Sequence, residues 1–355
     1  MTRDVWRISR AGSLDRLKKQ REELPPPAAG EARVRVEAIG LNFADVFACL
    51  GLYSATPKGP FIPGLEFAGV IEEVGPPAIH RVSGAPSDLQ AGERVLGLTR
   101  FGAYATAVNA PLHLLARVPP GWTPAQAAAL PVQGLTALYG LIELARVGRD
   151  ELVLLQSAAG GVGLLALAIL RSIGARVVAT VGREDKRRFL VDQRGLSPDL
   201  VIVRDRRRFG GQLDGALAAA TADGFDVVFD AVGGPFLEPA FARLRARGRL
   251  VVYGGADFMP AGGSALDPRL LVRYLRRPRI DPLSLMARNR SVMGFNLIWL
   301  WDQAHRLPEA YRALRAMSLE PPLVGRRFPF DETLAAMRFL KSGTSIGKVI
   351  VEPDR

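Results

Sequence analysis

One short segment of the sequence has the residue types and spacing of a phosphate-binding turn. In "SAAGGVG", Ala158, Gly160 and Gly163 follow the pattern A-x-G-x-x-G, directly after an apolar run at 151–156 and at the start of an apolar stretch at 161–174. Such small residues allow a tight turn, close approach of backbone N–H groups to a pyrophosphate, and close packing of helix on strand. The positive end of the helix dipole then faces the phosphates. A purely structural turn in an α/β protein is the alternative. The candidate cofactor-binding residues here are Ala158, Gly160, Gly161, Val162 and Gly163.

The end of the next predicted strand, "ATVGREDKRR", bears on the choice of dinucleotide. An NAD site has an acidic residue here, roughly twenty residues after the glycine turn, which binds the ribose 2′-OH. In this chain Gly182 and Arg183 come first, and Lys186 follows. A small residue followed by cations suits a 2′-phosphate, because guanidinium and ammonium groups neutralise its charge. The pattern favours NADPH over NADH, although a shift of one or two residues would bring an acid to the tip. The alternative for both cations is a solvated helix start.

A carboxylate lies in the middle of another segment, "PGLEFAGVIEEVG". Glu66 stands there among apolar neighbours, and a buried carboxylate is costly unless something pairs with it. A metal ion is one candidate partner. A buried arginine or backbone donors near a domain junction are the other. The single cysteine, Cys49, and three dispersed histidines make a zinc site built on several such ligands unpromising.

The composition is that of a globular protein with an excess of arginine. The chain has 355 residues, 48% of them hydrophobic, and a net charge of +12, and 41 of its 47 basic residues are arginines. The length allows two domains. Arginine-rich runs at 204–208, 243–249 and 273–279 could bind nucleic acid or an anionic surface, but a compositional bias is the preferred explanation. No secretory signal or membrane-length apolar run is found, so the sequence predicts a cytoplasmic protein.

Hydrophobic periodicity separates a β-rich first third from an alternating middle part. Apolar and polar residues alternate at 32–41, as in a half-buried strand, and short apolar runs follow at 66–74, 94–98 and 103–108. From about residue 130 strands alternate with helices, which predicts a parallel, doubly wound sheet in an α/β protein. The predicted strands of this part are 151–156, 176–181, 199–203, 226–232, 249–255 and 291–297, and its predicted helices are 161–174 and 184–194. A helix at 331–343 and a strand at 348–352 close the chain.

Taken together, these motifs resemble the medium-chain dehydrogenase/reductase superfamily. The resemblance rests on five segments in the family's order and spacing: "GLNFADVFACLGLY", "PGLEFAGVIEEVG", "AGERV", "AAGGVG" and "GKVIV". Within the superfamily the chain is similar to the zinc-independent quinone oxidoreductases, and "VVYGGADFM" and "NRSVMGFNL" point to the branch of the vesicle amine transport protein homologue. The resemblance implies a GroES-like β-rich catalytic domain at 1–128 and 299–355 and a Rossmann NADP-binding domain at 129–298. It also implies a nicotinamide cleft between them and a homodimer.

The resemblance further implies where zinc-dependent relatives bind their catalytic metal. Those ligand positions fall here on Asn42, Leu65 and, less directly, Gln133. Leu65 has no donor atom, and amides are poor zinc ligands beside thiolate and imidazole. No metal site is therefore predicted, and Glu66 is expected to pair with an arginine or with backbone donors.

The remaining site residues are also implied by the resemblance. Asn42 is expected to donate to the substrate or nicotinamide region, Asp45 to support that wall, and Tyr53 to line the pocket or donate a hydrogen bond. The alternatives are N-capping of a short helix at 44–50 for the first two and an ordinary loop aromatic for Tyr53. Arg204 stands where many relatives have a tyrosine, so it either replaces that residue electrostatically or is merely solvated. Further cofactor contacts are expected from Thr136, Arg204, Gly254, Gly255, Phe295 and Lys348.

The expected chemistry follows from the lack of a metal. Simple alcohol oxidation loses its electrophile without one. A quinone or an α,β-unsaturated carbonyl takes hydride into a conjugated system and needs only a hydrogen-bond donor or water at its oxygen. The expected function is NADPH-dependent reduction of such acceptors. The alternatives are an enoyl-thioester reductase and a non-catalytic protein that binds nucleic acid or an anionic surface.

Overall fold

The chain folds into two compact units, which a computed structural model describes over residues 1–77, 88–260, 262 and 267–354. The first unit comprises Met1–Leu135, Pro260–Asp267 and Leu297–Arg355, and the second comprises Thr136–Met259 and Pro268–Asn296. Most of segment 76–92, whose glycines, prolines and serines predict a turn-rich loop, lies outside the described residues.

Strands and helices alternate in the second unit, whereas strands predominate in the first. The strands are β1 (Thr2–Ile8), β2 (Leu17–Glu23), β3 (Glu31–Gly40), β4 (Glu66–Val74), β5 (Arg94–Leu98), β6 (Ala107–Pro111), β7 (Leu115–Arg117), β8 (Leu152–Gln156), β9 (Arg176–Val181), β10 (Val201–Val203), β11 (Phe225–Asp230), β12 (Leu244–Val252), β13 (Ser291–Gly294), β14 (Val324–Pro329) and β15 (Lys348–Glu352). The α-helices are α1 (Phe43–Cys49), α2 (Pro124–Ala128), α3 (Pro131–Leu138), α4 (Gly161–Ile173), α5 (Glu184–Asp192), α6 (Phe209–Ala219), α7 (Leu237–Ala242), α8 (Pro268–Leu275), α9 (Pro282–Arg288), α10 (Leu307–Ala316) and α11 (Thr333–Lys341).

The second unit is built on a six-stranded parallel sheet. Its strand order is β10-β9-β8-β11-β12-β13, which is 3-2-1-4-5-6 when counted from β8, the order of a doubly wound dinucleotide-binding fold. The central strands β8, β9 and β11 are mainly apolar and buried along almost their whole length, as parallel strands covered by helices must be. Helix α4 ends at Gly174, whose φ of +81° is the left-handed conformation that favours glycine at a C-cap. The predicted parallel sheet is confirmed.

The first unit contains a seven-stranded, mainly antiparallel sheet. Its order is β14-β15-β3-β4-β5-β7, and β6 pairs with β3 off this path. The register pairs Gly40, the last residue of β3, with Glu66, the first residue of β4. Strand β15 pairs with the same end of β3 through Ile350 and Gly40. The sheet therefore brings the starts of β4 and β15 together at the end of β3.

Several elements differ from those that periodicity predicts. The strand expected at 103–108 begins only at Ala107, and the one expected at 249–255 begins earlier, at Leu244, and ends at Val252. The β1–β2 hairpin was not predicted, because the exposed β2 reads "LKKQREE" and has no alternating apolar face. The Pro- and Arg-rich segment before β13 contains α8 and α9. No helix among the residues that the structure describes is both long and apolar enough to cross a lipid bilayer.

Candidate functional site

The glycine-rich turn of the second unit joins β8 to α4 in the arrangement the sequence predicts. Gly160 occupies the N-cap position and α4 begins at Gly161. A Cβ atom on Gly163 would lie 2.7 Å from Cα of Ala158 and closer still to the carbonyl oxygen of Ser157, so only glycine fits. Ser157 itself has a φ of +56°. The backbone of the turn is therefore packed tightly against the helix start.

The start of α4 is suited to an anion. The first N–H groups of a helix have no intrahelical acceptor, and here they belong to Gly161, Val162 and Gly163. The helix dipole adds a partial positive charge at this end. Ala158 is fixed by a 3.1 Å hydrogen bond from its N–H to the carbonyl oxygen of Thr180. This is the geometry with which a pyrophosphate is bound at a helix N-terminus.

Three cations surround the end of β9, which we call the basic edge (Arg183, Lys186 and Arg204). The Nε atom of Arg183 donates to Asp185 at 3.0 Å. Burial lowers the pKa of Lys186 to about 8 and that of Arg204 to about 10. Gly182 lies beside Arg204, since a Cβ atom there would be 3.5 Å from Nη2 of the guanidinium. The basic edge therefore concentrates positive charge around Gly182, which has no side chain.

A row of buried polar residues, not recognised in the sequence, crosses the carboxyl ends of the central strands. Gln156 is aligned with Thr180 on one side, and the register of β8 with β11 places Asp230 on its other side. Neither polar atom of the fully buried Gln156 side chain has a hydrogen-bond partner among the described residues. Asp230 accepts hydrogen bonds from two backbone N–H groups of the following turn. The sequence feature that could have revealed this row is a polar or charged residue at or near the carboxyl end of each of the apolar strands β8, β9 and β11.

The predicted nicotinamide contacts of the second unit lie at other strand and helix ends. Gly254 follows β12, and a Cβ atom on it would be 2.8 Å from the carbonyl oxygen of Ala231, whereas Gly255 has only the Phe258 ring nearby. Phe295 follows β13, and its ring centroid is 5.0 Å from that of Tyr139 in an edge-to-face contact. Thr136 is buried on α3. Their contacts with a cofactor stay predictions.

In the first unit, Glu66 is the centre of a buried ionic network. Lys348 donates to its Oε1 atom, and the side-chain amide of Asn42 donates to the same oxygen at 2.8 Å. The backbone N–H of Val132 donates to Oε2 at 2.7 Å. The Lys348 and Glu66 side chains are 1% and 0% exposed. The expectation of backbone donors is confirmed, but the expected arginine partner is wrong, because a lysine at the start of β15 supplies the cation.

Asn42 and Asp45 lie at the start of α1 and also belong to this network. The carboxylate of Asp45 accepts hydrogen bonds from the backbone N–H of Asn42 at 2.8 Å and from the hydroxyl of Tyr104 at 3.0 Å. The Asn42 side-chain oxygen accepts from Lys348 at 2.9 Å. The Asp45 side chain thus caps the start of α1, as the alternative expects. The Asn42 side chain instead links α1 to Glu66 on β4 and Lys348 on β15. Their contact with substrate stays a prediction, as does that of Lys348 with the cofactor.

Tyr53 is the remaining residue expected at the substrate pocket. It lies in the loop after α1, half-buried, and its carbonyl oxygen accepts a 2.7 Å hydrogen bond from the Thr56 hydroxyl. Tyr104, which the sequence did not single out, is the tyrosine that reaches Asp45. No pattern in the sequence distinguishes it, because the two residues lie 59 positions apart.

The titration of Asp45 gives a testable pH dependence of stability. Burial raises its pKa to about 7 from the ordinary 3.8, against the lowering effects of the Asn42 N–H and the Lys348 charge. The folded state therefore holds this proton more tightly than the unfolded chain, so the stabilisation is complete below about pH 4 and is lost as the pH rises to about 7. We expect the free energy of unfolding to fall with pH across this window more steeply in the wild type than in Asp45→Asn, by at most about 1.4 kcal/mol per pH unit. Urea denaturation of both proteins across the window measures the difference, and parallel pH profiles would contradict the assignment.

Comparisons with known proteins extend over almost the whole chain. Residues 28–120 match the alcohol dehydrogenase GroES-like domain, and residues 201–351 match the zinc-binding dehydrogenase family. The synaptic vesicle membrane protein VAT-1 homolog of Rattus norvegicus is 30% identical over 348 residues, which are 96% of this chain and 82% of the relative.

Solved structures show the same relationship. The quinone oxidoreductase of Thermus thermophilus, also solved as a complex with NADPH, is 31% identical with a TM-score of 0.71, over 98% of this chain and 99% of that chain. The CurK enoyl reductase is 26% identical with a TM-score of 0.79, over 99% of both chains. The regions matched by the family models, the strand order of the second unit and the glycine-rich turn all indicate the same family. The chain therefore belongs to the medium-chain dehydrogenase/reductase superfamily of oxidoreductases, with a GroES-like domain and a Rossmann domain.

Proposed function

We propose that the protein is an NADPH-dependent, metal-independent reductase that transfers hydride to a quinone or an α,β-unsaturated carbonyl. The observation that carries this proposal is the basic edge at the end of β9, in the same sheet as the glycine turn. Acidic residues at this tip would favour NADH, but Asp185 is already bound by Arg183. A similar protein, the Thermus thermophilus quinone oxidoreductase, was solved with NADPH.

The residues of the second unit fit such a cofactor. The N–H groups at the start of α4 bind a pyrophosphate, and the glycine at 163 lets the helix approach it. The basic edge binds the 2′-phosphate. When bound, NADPH supplies the hydride, while the protein supplies position and electrostatics.

Metal independence rests on the donor set of the first unit. The carboxylate of Glu66 is already neutralised by the ammonium of Lys348 and by two N–H donors. The position before it is Leu65, which has no ligand atom. We therefore expect a negligible zinc content, which elemental analysis of the purified protein measures. One zinc per chain would overturn this part of the proposal.

Among possible hydride acceptors, an activated double bond suits this arrangement best. A conjugated quinone or enone carries the developing charge on its oxygen, where one hydrogen-bond donor suffices. An enoyl thioester is the second candidate substrate, and the similarity to the CurK enoyl reductase favours it. Both belong to one reaction class, hydride addition to a conjugated carbonyl.

The non-catalytic alternative is weakened by the partners of the arginines. Many cations in the clusters are bound to carboxylates within the second unit: Arg206 to Asp257, Arg208 to Asp205, Arg243 to Asp214, Arg245 to Asp226 and Arg249 to Glu151. Paired cations contribute less to a phosphate-binding surface than free ones. Elution from heparin at low salt is therefore expected.

A panel of acceptors tests the proposed function. Quinones, alkenones and enoyl thioesters are mixed with the protein and NADPH, and the loss of NADPH absorbance is followed. We expect turnover of at least one class, with NADPH preferred to NADH. The matched control is an Arg183→Glu, Arg204→Gln double variant, which should lose the preference for NADPH. A wild type that neither binds NADPH nor oxidises it with any acceptor would refute the proposal.

A further inference from the structure

Helices α8 and α9 of the second unit turn apolar side chains to the outside. Neither helix contains a buried residue. Eleven large apolar side chains are exposed among the described residues, and six of them belong to these two short helices. Exposed apolar residues grouped in this way mark a surface that binds something. We call the six residues the apolar face: Leu271, Val272, Tyr274, Leu275, Leu283 and Met286.

The spacing along α8 separates its apolar residues from an arginine. With about 3.6 residues per turn, Leu271, Val272 and Leu275 share one side of the helix. Arg273 lies on the opposite side and is directed at the protein, because its Nη1 atom donates to the carbonyl oxygen of Asp257 at 2.9 Å. The apolar side therefore points away from the unit, and Leu271 and Leu275 are 60% and 61% exposed.

The segment that contains both helices is fixed to the second unit in spite of this exposure. Ile280, between the helices, packs against the core of the unit. Arg290, after α9, donates to the carbonyl oxygen of Phe241 at 3.0 Å. The carboxylate of Asp281 caps α9 by accepting a 3.1 Å hydrogen bond from the backbone N–H of Leu283. Helices as short as these, of eight and seven residues, are marginal in water, so burial of their apolar face would stabilise them.

Arginines follow the apolar residues at the end of each helix. Segment 267–290 has seven arginines and two aspartates, a net charge of +5. Arg276 and Arg279 are exposed and form no ion pair within the described part of the chain. The guanidinium carbon of Arg277 lies 4.0 Å from the centre of the Tyr274 ring, so this side chain joins the apolar face to the charged region. The apolar face therefore has cations beside it that no carboxylate neutralises.

This combination of charge and apolar surface narrows the choice of binding partner. A two-fold dimer through this face would set the +5 charge of one copy against that of the other. Nucleic acid supplies phosphates but no apolar surface for leucine and methionine side chains to enter. A protein groove that takes a helix is filled by anchors over i to i+7, whereas the exposed apolar residues of α8 span only 271–275. An anionic bilayer supplies both headgroup anions and acyl chains.

We propose that helices α8 and α9 attach the protein to the surface of anionic lipid bilayers. The apolar face enters the boundary between headgroups and acyl chains, and the arginines that follow each helix bind the headgroup anions. Both helices lie along this boundary, since neither is long enough to span a bilayer. None of these residues is assigned above to the cofactor or the substrate, so the inference stands apart from the reductase activity.

Co-sedimentation of the full chain with lipid vesicles tests the proposal. The vesicles contain phosphatidylcholine alone, or phosphatidylcholine and phosphatidylserine in a two-to-one mixture. We expect the wild type to bind the mixed vesicles at least about 10-fold more tightly than the neutral ones, because each cation near an anionic surface contributes about 5-fold. High salt should release the protein, since it screens these charges.

Two double variants separate the electrostatic contribution from the apolar one. Arg276→Gln with Arg279→Gln should weaken binding to the mixed vesicles by about 10- to 30-fold. Leu271→Gln with Leu275→Gln should weaken it by at least about 10-fold, because the apolar side chains no longer enter the bilayer. All four positions are exposed, so the midpoint of thermal unfolding should stay unchanged in both variants.

Arg312→Gln with Arg315→Gln is the matched control, because it removes the same charge from exposed positions on α10 and should weaken binding less than about 3-fold. An equal loss in this control, or no loss in the leucine variant, would overturn the proposal in favour of adsorption by net charge alone. Dissociation of a dimer by the leucine substitutions, seen in analytical ultracentrifugation, would overturn it in favour of a second copy. A wild type that binds no vesicles but is retained on heparin at moderate salt would overturn it in favour of another polyanion.

Discussion

Replacing Lys348 with methionine is expected to lower the free energy of unfolding by about 3–5 kcal/mol, because it leaves a buried carboxylate without its cation. Glu66 is fully buried, and the two remaining donors, the Asn42 amide and the Val132 N–H, do not carry a full charge. The loss should appear in urea denaturation at neutral pH as a lower midpoint with an unchanged slope.

A second substitution distinguishes ion pairing from simple packing. In the double variant Glu66→Gln, Lys348→Met both charges are absent, so most of the lost stability should return. Lys18→Met is the matched control, since Lys18 is exposed on β2 and the change should stay within about 0.5 kcal/mol. If the loss of unfolding free energy in the double variant equalled the sum of the losses in Glu66→Gln and Lys348→Met, the two side chains would not be coupled in this way.

The Glu66–Lys348 pair also shows what the sequence could not predict. The apolar neighbours of Glu66 required a partner, and that requirement is visible locally. The partner lies 282 positions away, at the first residue of the last strand, and only the pairing of β15 with β3 brings it close. A short-range pattern carries no information about such a contact, so a buried arginine was as reasonable a candidate as a lysine.

The second unit was predicted much more fully, for a physical reason. Its central strands β8, β9 and β11 are mainly apolar, buried runs with short connections to the following helices, so each of these strand–helix steps is specified by neighbouring residues. Helices α6 to α9 of this unit were not predicted, and α6 shows why. Its sequence, "FGGQLDGALAA", contains three glycines, and this helix depends on the packing of residues such as Phe209 and Leu213 in the core rather than on propensity.

The basic edge was only partly predictable. The sequence placed Arg183 and Lys186 at the tip of β9 by their position after the glycine turn. Arg204 donates to the Thr180 hydroxyl and lies near the Phe236 ring, and both contacts depend on tertiary packing. Sequence position therefore indicated a region whose cofactor contacts stay predictions, but it could not rank the cations there.

Replacing Gly163 with alanine is expected to weaken NADPH binding by at least about 100-fold, through displacement of the turn that presents its N–H groups. The added Cβ atom would lie 2.7 Å from Ala158 Cα and closer still to the Ser157 carbonyl oxygen, so the backbone of the turn must move. Overpacking of this kind costs about 1–3 kcal/mol of stability in addition. Fluorescence titration with NADPH measures the affinity, and thermal unfolding without ligand measures the loss of stability.

Gly215→Ala is the matched control for this substitution, because it makes the same chemical change within the same unit. Apart from the neighbouring backbone of α6 itself, no heavy atom of the described residues lies within 4 Å of the position its Cβ would take. Alanine should raise helix stability there by about 0.5–1 kcal/mol and leave NADPH affinity unchanged. If Gly163→Ala bound NADPH as tightly as Gly215→Ala does, the close approach of α4 to β8 would have no part in cofactor binding, and the phosphate site would have to lie elsewhere.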